Sequence, residues 1–206
     1  MATKQRGRPR AFDRDAALEK ALLAFWERGY EAVSIAELTR EMGIGAPSLY
    51  AAFGDKKALF DAALEVYGHS PNGTFTDRAL AEEPTARAAV ARILREAAVG
   101  YTAAGQPKGC MVVSAGINTT TPEVAAELRE MRNGNIGLIA ERIQADVDAG
   151  MLPADTDAAA LARFTGAVMQ GMSTQARDGA ATEELLRVAE AAMRSWPGGE
   201  EIPPGA

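Results

Sequence analysis

The chain has 206 residues, 47% of them hydrophobic, enough for one compact domain or a small domain joined to a larger one. A formal net charge of −6 argues against broad phosphate neutralisation, and no run of about 18 apolar residues suggests a membrane span. The single cysteine, Cys110, excludes an internal disulfide, and the single histidine, His69, argues against a His-rich metal site.

Residues 1–60 carry ten Lys/Arg against eight Asp/Glu, and the remainder twelve against twenty. Lys4, Arg6, Arg8 and Arg10 open the chain with no acid among them, a flexible basic arm over residues 1–11 on an acidic body. That asymmetry fits contact with nucleic acid at one end, and it fits a solvated tail equally well. The basic start lacks the apolar stretch of a signal peptide, so the expected location is cytoplasmic.

The periodicity is helical throughout, so the expected fold is all-α. Asp13 is a good N-cap, and Leu18, Ala21, Leu22, Phe25 and Trp26 then mark one apolar face up to Gly29. Ser34 with Glu37 three residues on forms a capping box ahead of Ile35, Leu38 and Met42. Gly43-Ile44-Gly45 makes a tight connection to a short helix, Ala46 to Phe53, with Pro47 tolerated in its first turn. Asp55 caps a fourth helix carrying Leu59, Phe60, Ala63, Leu64 and Tyr67. The turn residues 68–73 mark a boundary. Beyond it the pattern predicts helices over about 84–101, 109–117, 122–149, 155–179 and 182–196, then a Pro/Gly/Glu-rich disordered tail, 198–206. The expected organisation is therefore an N-terminal three-helix helix-turn-helix domain, 12–68, and a C-terminal helical domain, 69–197.

Two short helices joined by a glycine turn, Ser34–Glu41 and Ala46–Phe53, form a helix-turn-helix, whose second helix enters the major groove. The run Phe25-Trp26-Glu27-Arg28-Gly29-Tyr30, then Ser34-Ile35-Ala36-Glu37-Leu38, Met42-Gly43-Ile44, Ser48-Leu49-Tyr50 and Phe53-Gly54-Asp55-Lys56-Lys57-Ala58-Leu59-Phe60 resembles the DNA-binding domain of the TetR (tetracycline repressor) family. The resemblance implies a transcriptional regulator, a repressor by expectation, that binds a palindromic double-stranded operator as a homodimer. It also implies release when a small molecule enters the C-terminal domain. It further implies that the position of Lys56 meets a DNA phosphate, and Tyr50 likewise. Lys57 is a weaker candidate; both lysines sit in a helix first turn, where the dipole disfavours them, so an outside anion explains them better than helix stability. The hydroxyl of Ser34 caps its helix, whose N-terminus could also face a phosphate.

On the recognition helix the expected exposed face is Gly45, Ala46, Pro47, Ser48, Ala51 and Ala52, with Ser48 the one hydrogen-bonding side chain among them. Family members often carry a hydroxyl where Gly45 stands and bulkier residues where the alanines stand. Alanine and proline can touch thymine methyls but cannot read G or C by hydrogen bonding, so direct readout should be modest. Arg6-Gly7-Arg8-Pro9-Arg10 resembles the core of an AT-hook, and a narrow A·T-rich minor groove attracts arginine. General phosphate attraction by the same arginines is the plainer alternative.

The resemblance also implies that helices 122–149 and 156–177 pair with their copies across a dimer. Phe164, Ala167, Val168, Gly171 and Met172 form a stripe at helical spacing, with Gly166 small beside it; the alternative is that the stripe faces only its own core. Candidate lining residues of an effector site are Tyr101, Cys110, Met111, Asn118, Met131, Phe164, Met169 and Gln170, an adaptable apolar set that plain core packing would also explain. Cys110 follows Lys108-Gly109 at an expected helix start, features that lower a thiol pKa and suit an electrophilic effector; a small buried hydrophobe is the alternative. No cofactor motif or metal-ligand set accompanies these residues, and no enzyme is expected. The competing classes are a nonspecific architectural DNA binder built on the arginine arm and, remotely, a thiol enzyme using Cys110 with His69.

Overall fold

A computed structural model describes residues 12–116 and 118–197. The basic arm with Arg6, Arg8 and Arg10, and the tail 198–206, lie outside the described residues. Within them the chain forms ten helices: α1 Arg14–Arg28, α2 Ile35–Met42, α3 Ala46–Phe53, α4 Lys56–Gly68, α5 Pro71–Glu82, α6 Ala86–Tyr101, α7 Met111–Ser114, α8 Pro122–Asp148, α9 Ala158–Arg177 and α10 Thr182–Arg194.

The front of the molecule is set by caps. Asp13 Oδ1 accepts from the amides of Asp15 and Ala16, both at 3.1 Å, and Asp55 Oδ1 accepts from Ala58 at 2.8 Å. The capping box of α2 is complete: Ser34 Oγ accepts from the Glu37 amide, and Glu37 Oε2 accepts from the Ser34 amide. Gly43 closes α2 at φ +72°, a left-handed geometry that glycine adopts without a Cβ penalty.

A helix opens within residues 68–73. Ser70 accepts from Gly73 as an N-cap and Pro71 occupies the first turn, where its missing N–H costs nothing, so α5 starts there. A side chain at Gly73 would strike the carbonyls of Tyr67 and Gly68, so glycine permits the tight α4–α5 corner. The helix expected over 109–117 shrinks to Met111–Ser114.

Two cores form. The first holds the inward faces of α1 to α4, with Phe25 and Phe60 edge-to-face at 5.1 Å, and it also takes Met111 and Ala115 around α7 and Val124 and Leu128 from α8. The second lies between α5, α6, α8, α9 and α10, around Ile93, Leu94, Ile139, Ile143 and Met172. Thus α7, distant in sequence from α1, is packed into the front core, while Cys110 just before it touches both cores.

Candidate nucleic-acid interface and effector cavity

Helix α3 is held by Leu49 and Phe53, which point into the first core. Gly45, Pro47, Ser48, Tyr50 and Ala51 are exposed; Ala46 and Ala52 are half-buried. Gly45 N-caps α3 without a side-chain bond. Ser34 is exposed at the start of α2, but its hydroxyl is already engaged, donating to Glu37 Oε2 at 2.7 Å.

The two lysines of α4 diverge. The Lys56 ammonium lies 4.3 Å from the centre of the Tyr30 ring, a cation–π contact that fixes it beside the front unit. Burial pushes its pKa down, opposed by Glu31 and Glu37. Lys57 instead pairs with Asp61 on its own helix and with Glu127 of α8 at 2.8 Å. Its charge is engaged by two carboxylates, which brace α4 against α8.

Behind α1 and α4 lies a cavity of about 280 Å³. Of the lining residues expected from the sequence, Tyr101, Cys110, Met131, Met169 and Gln170 face it together. The other three do not. Met111 is fully buried in the first core, because the short α7 turns it toward α1. Asn118 stands exposed in the loop after α7 at φ +59°, a left-handed conformation that asparagine tolerates. Phe164 is 40% exposed on the outer side of α9.

Tyr67, Asn72, Arg132 and Asn135, not among the expected lining residues, also line the cavity. In the sequence Tyr67 carries an apolar-face signal only, and no local spacing singles out Arg132. Around Cys110 the polar groups converge. The Tyr67 hydroxyl donates to its Sγ at 3.4 Å, and the buried Tyr101 lines the same cavity. Burial, then the nearby thiol, pushes both phenols well above their usual range. Lys108 does not reach the thiol; its Nζ donates to the carbonyls of Thr102 and Ala103 at the end of α6. His69 is exposed at the end of α4 with Nδ1 against the Glu65 carbonyl, so it is not the thiol's partner.

The Gly109–Cys110 peptide is clasped from several sides. Trp26 of α1 donates from Nε1 to the Gly109 carbonyl at 3.2 Å, Gly109 donates to the Tyr101 carbonyl at 2.9 Å, and the Cys110 amide donates to Ser173 Oγ at 2.9 Å. Gly109 sits at φ +79°, and a Cβ there would meet the Ser173 carbonyl oxygen at 2.7 Å, so only glycine fits the clasp. Two further links tie front to rear. Glu31 accepts from the hydroxyl and amide of Thr121 and the amide of Thr120 at the start of α8, which holds its carboxyl at about 2, and Arg177 of α9 donates to the Glu27 carbonyl at 2.9 Å.

The stripe on α9 divides. Met172 is buried in its own core, and Gly166 packs on Ile136 of α8 so closely that a Cβ would lie 2.8 Å from it. Phe164, Ala167 and Gly171 remain exposed, with Leu138 of α8 also exposed. Among the described residues no cluster of His, Cys, Asp and Glu could hold a metal ion, and no helix is long and apolar enough to cross a membrane.

An exposed recognition helix on a helical body with a small cavity is the arrangement of a helix-turn-helix transcriptional regulator with a separate C-terminal helical region. Residues 17–63 match the family described as bacterial regulatory proteins, tetR family, and residues 85–192 match the tetracyclin repressor-like C-terminal domain. The chain belongs to the TetR family. It is 35% identical to the HTH-type transcriptional repressor ComR of Escherichia coli (strain K12), over 94% of this chain and 93% of that one. The HTH-type transcriptional repressor BdcR of the same strain is 34% identical over 92% and 93%. Among solved structures, a cysteine mutant of the TetR family regulator CifR, complexed with a 26-base-pair operator duplex, shares 46% identity at TM-score 0.85. That match covers 92% of this chain and 100% of that one. A TetR regulator from Rhodococcus sp. RHA1 shares 39% identity at TM-score 0.62, over 88% and 97%.

Proposed function

We propose that this chain is a cytoplasmic repressor, without enzymatic activity, that binds an inverted-repeat operator as a homodimer and lets go when a small molecule occupies the cavity. The observation that carries the reading is the Gly109–Cys110 clasp, because one peptide both lines the cavity and is bonded to α1, which braces the helix-turn-helix. An occupant that displaces this peptide would push on α1 and α4 and change the spacing of two recognition helices across a dimer. Such a switch needs an occupant with different affinity for the two arrangements.

On the DNA side, Ser48, Ala51 and Pro47 meet base edges, while Tyr50, Lys56 and the N-terminus of α2 at Ser34 meet phosphate; Gly45 and Ala46 let the backbone approach. The arm residues Arg6, Arg8 and Arg10 take the minor groove. The exposed Phe164, Ala167 and Gly171 support pairing through α8 and α9. The operator complex of CifR at 46% identity supports the DNA partner.

Selection of randomised duplex DNA by the purified protein, at two salt concentrations, tests the reading. An inverted repeat with A·T-rich flanks is expected. Binding that is steeply salt-dependent and enriches no sequence would overturn it in favour of an architectural binder. A second reading, an electrophilic effector captured by Cys110, is favoured by the position of the sulfur on the cavity wall. A thiol inert to small electrophiles in the folded protein would end it.

A further inference from the structure

We propose that the cavity takes a small monoanionic ligand, a carboxylate on an apolar body, with Arg132 as its charge partner. The proposal rests on the effector reading and adds the ligand's chemistry to it.

Three arginines are half-buried among the described residues: Arg92, Arg132 and Arg142. Arg92 is paired with Glu82, Glu83 and Glu96, and Arg142 with Asp146. Arg132 alone of the three has no carboxylate within ion-pair distance among the described residues, and it is the one that lines the cavity. One nitrogen, Nη1, donates to the Val112 carbonyl at 2.9 Å, which fixes the head at the cavity wall. A guanidinium has five N–H donors in a rigid fork, so most of its capacity is left over. Withdrawing a cation from water without a counter-ion is costly, and a carboxylate matches the fork in two parallel bonds. Burial lowers the Arg132 pKa, opposed by the nearby Cys110, with like-charged Arg129 adding to the lowering, so an anion arriving there relieves an existing penalty.

The rest of the wall suits such a molecule. Asn135, one turn along α8, and Gln170 on α9 add amide donors, while Phe75, Ile136 and Met169 offer an apolar surface. Asp77, exposed on α5, also lines the cavity, so a second negative charge on the ligand would be repelled. A cavity of about 150 Å³ accepts benzene, so 280 Å³ fits roughly a dozen non-hydrogen atoms.

Calorimetric titration of the full chain with matched sets tests this: benzoate, benzamide and benzyl alcohol, then hexanoate, hexanamide and hexanol. The acids should bind roughly tenfold tighter than their neutral partners, and R132Q should erase that preference while R132K keeps part of it. Equal binding of acid and amide, no acid binding at millimolar concentration, or an undiminished acid preference in R132Q would each overturn the proposal. The wild-type comparison decides it even if R132Q does not fold. Acids that bind but leave operator binding unchanged would support the anion site and refute the effector reading. Neutral compounds that release operator while acids fail to bind would do the reverse.

Discussion

Helix α3 offers solvent Gly45, Pro47, Ser48, Tyr50 and Ala51, whereas the cavity gathers an arginine, a thiol, two phenols and the amides of Asn72, Asn135 and Gln170. The plain surface is the one expected to meet DNA. A regular, charged partner asks mainly for correct placement, since phosphate contacts set register and orientation. A small molecule has no repeating backbone to register against, so the region that must recognise it needs chemistry. The chain places its polar variety accordingly.

The largest effects should come from the scaffold that does the placing. Phe25→Ala removes a fully buried ring that packs on Phe60 and Tyr30, and should cost about 3–5 kcal/mol in urea denaturation. A loss under about 1 kcal/mol would mean the front core is not what fixes α3.

Next come the two lysines, which sharpen the contrast between placement and bracing. Lys56→Met should weaken operator binding and lower the salt slope by about 1, while Lys57→Met should leave the slope unchanged and loosen the contact to Glu127 instead. Equal slopes for the two variants would undo the assignment.

Glu31 tests the junction by pH. Its carboxyl is held at about 2, below its usual 4.5, by the hydroxyl and amide of Thr121 and the amide of Thr120. A depressed carboxyl contributes stability that is present above pH 4.5 and is lost as pH falls through about 2. NMR titration of wild type should show this carboxyl ionised at pH 3, and Glu31→Gln should flatten the acid side of the stability curve in that window. The smallest effect belongs to Ser48→Ala, expected to lower operator affinity by only a few tenths to about 1 kcal/mol if direct readout is as sparse as α3 implies.

The two regions were also unequally legible. Asp13, Ser34 with Glu37, Gly43, Gly54 and Asp55 act within three or four residues of themselves, so caps and turns place α1 to α4 from the sequence alone. The cavity draws Tyr67, Tyr101, Cys110, Arg132 and Gln170 from separate elements, and no local spacing reports their meeting. Arg132 stands out only once the Val112 carbonyl and the cavity beside it are seen. Helix α5 was hidden for another reason: Ser70-Pro71 opens a helix, yet beside His69, Asn72 and Gly73 it looks like a loop.

In the proposed switch, filling the cavity acts on the DNA-binding unit through the Gly109–Cys110 peptide. Cys110 is the only cysteine, so a bulky maleimide can be placed on the cavity wall alone. Operator affinity would be measured by anisotropy against the extent of labelling by mass spectrometry, in wild type and in Trp26→Phe, which lacks the indole donor to Gly109. Complete labelling should lower wild-type operator affinity within the usual range of allosteric coupling, about 5–150-fold, and clearly less in Trp26→Phe. Complete labelling of a folded protein with operator affinity unchanged would contradict the claim.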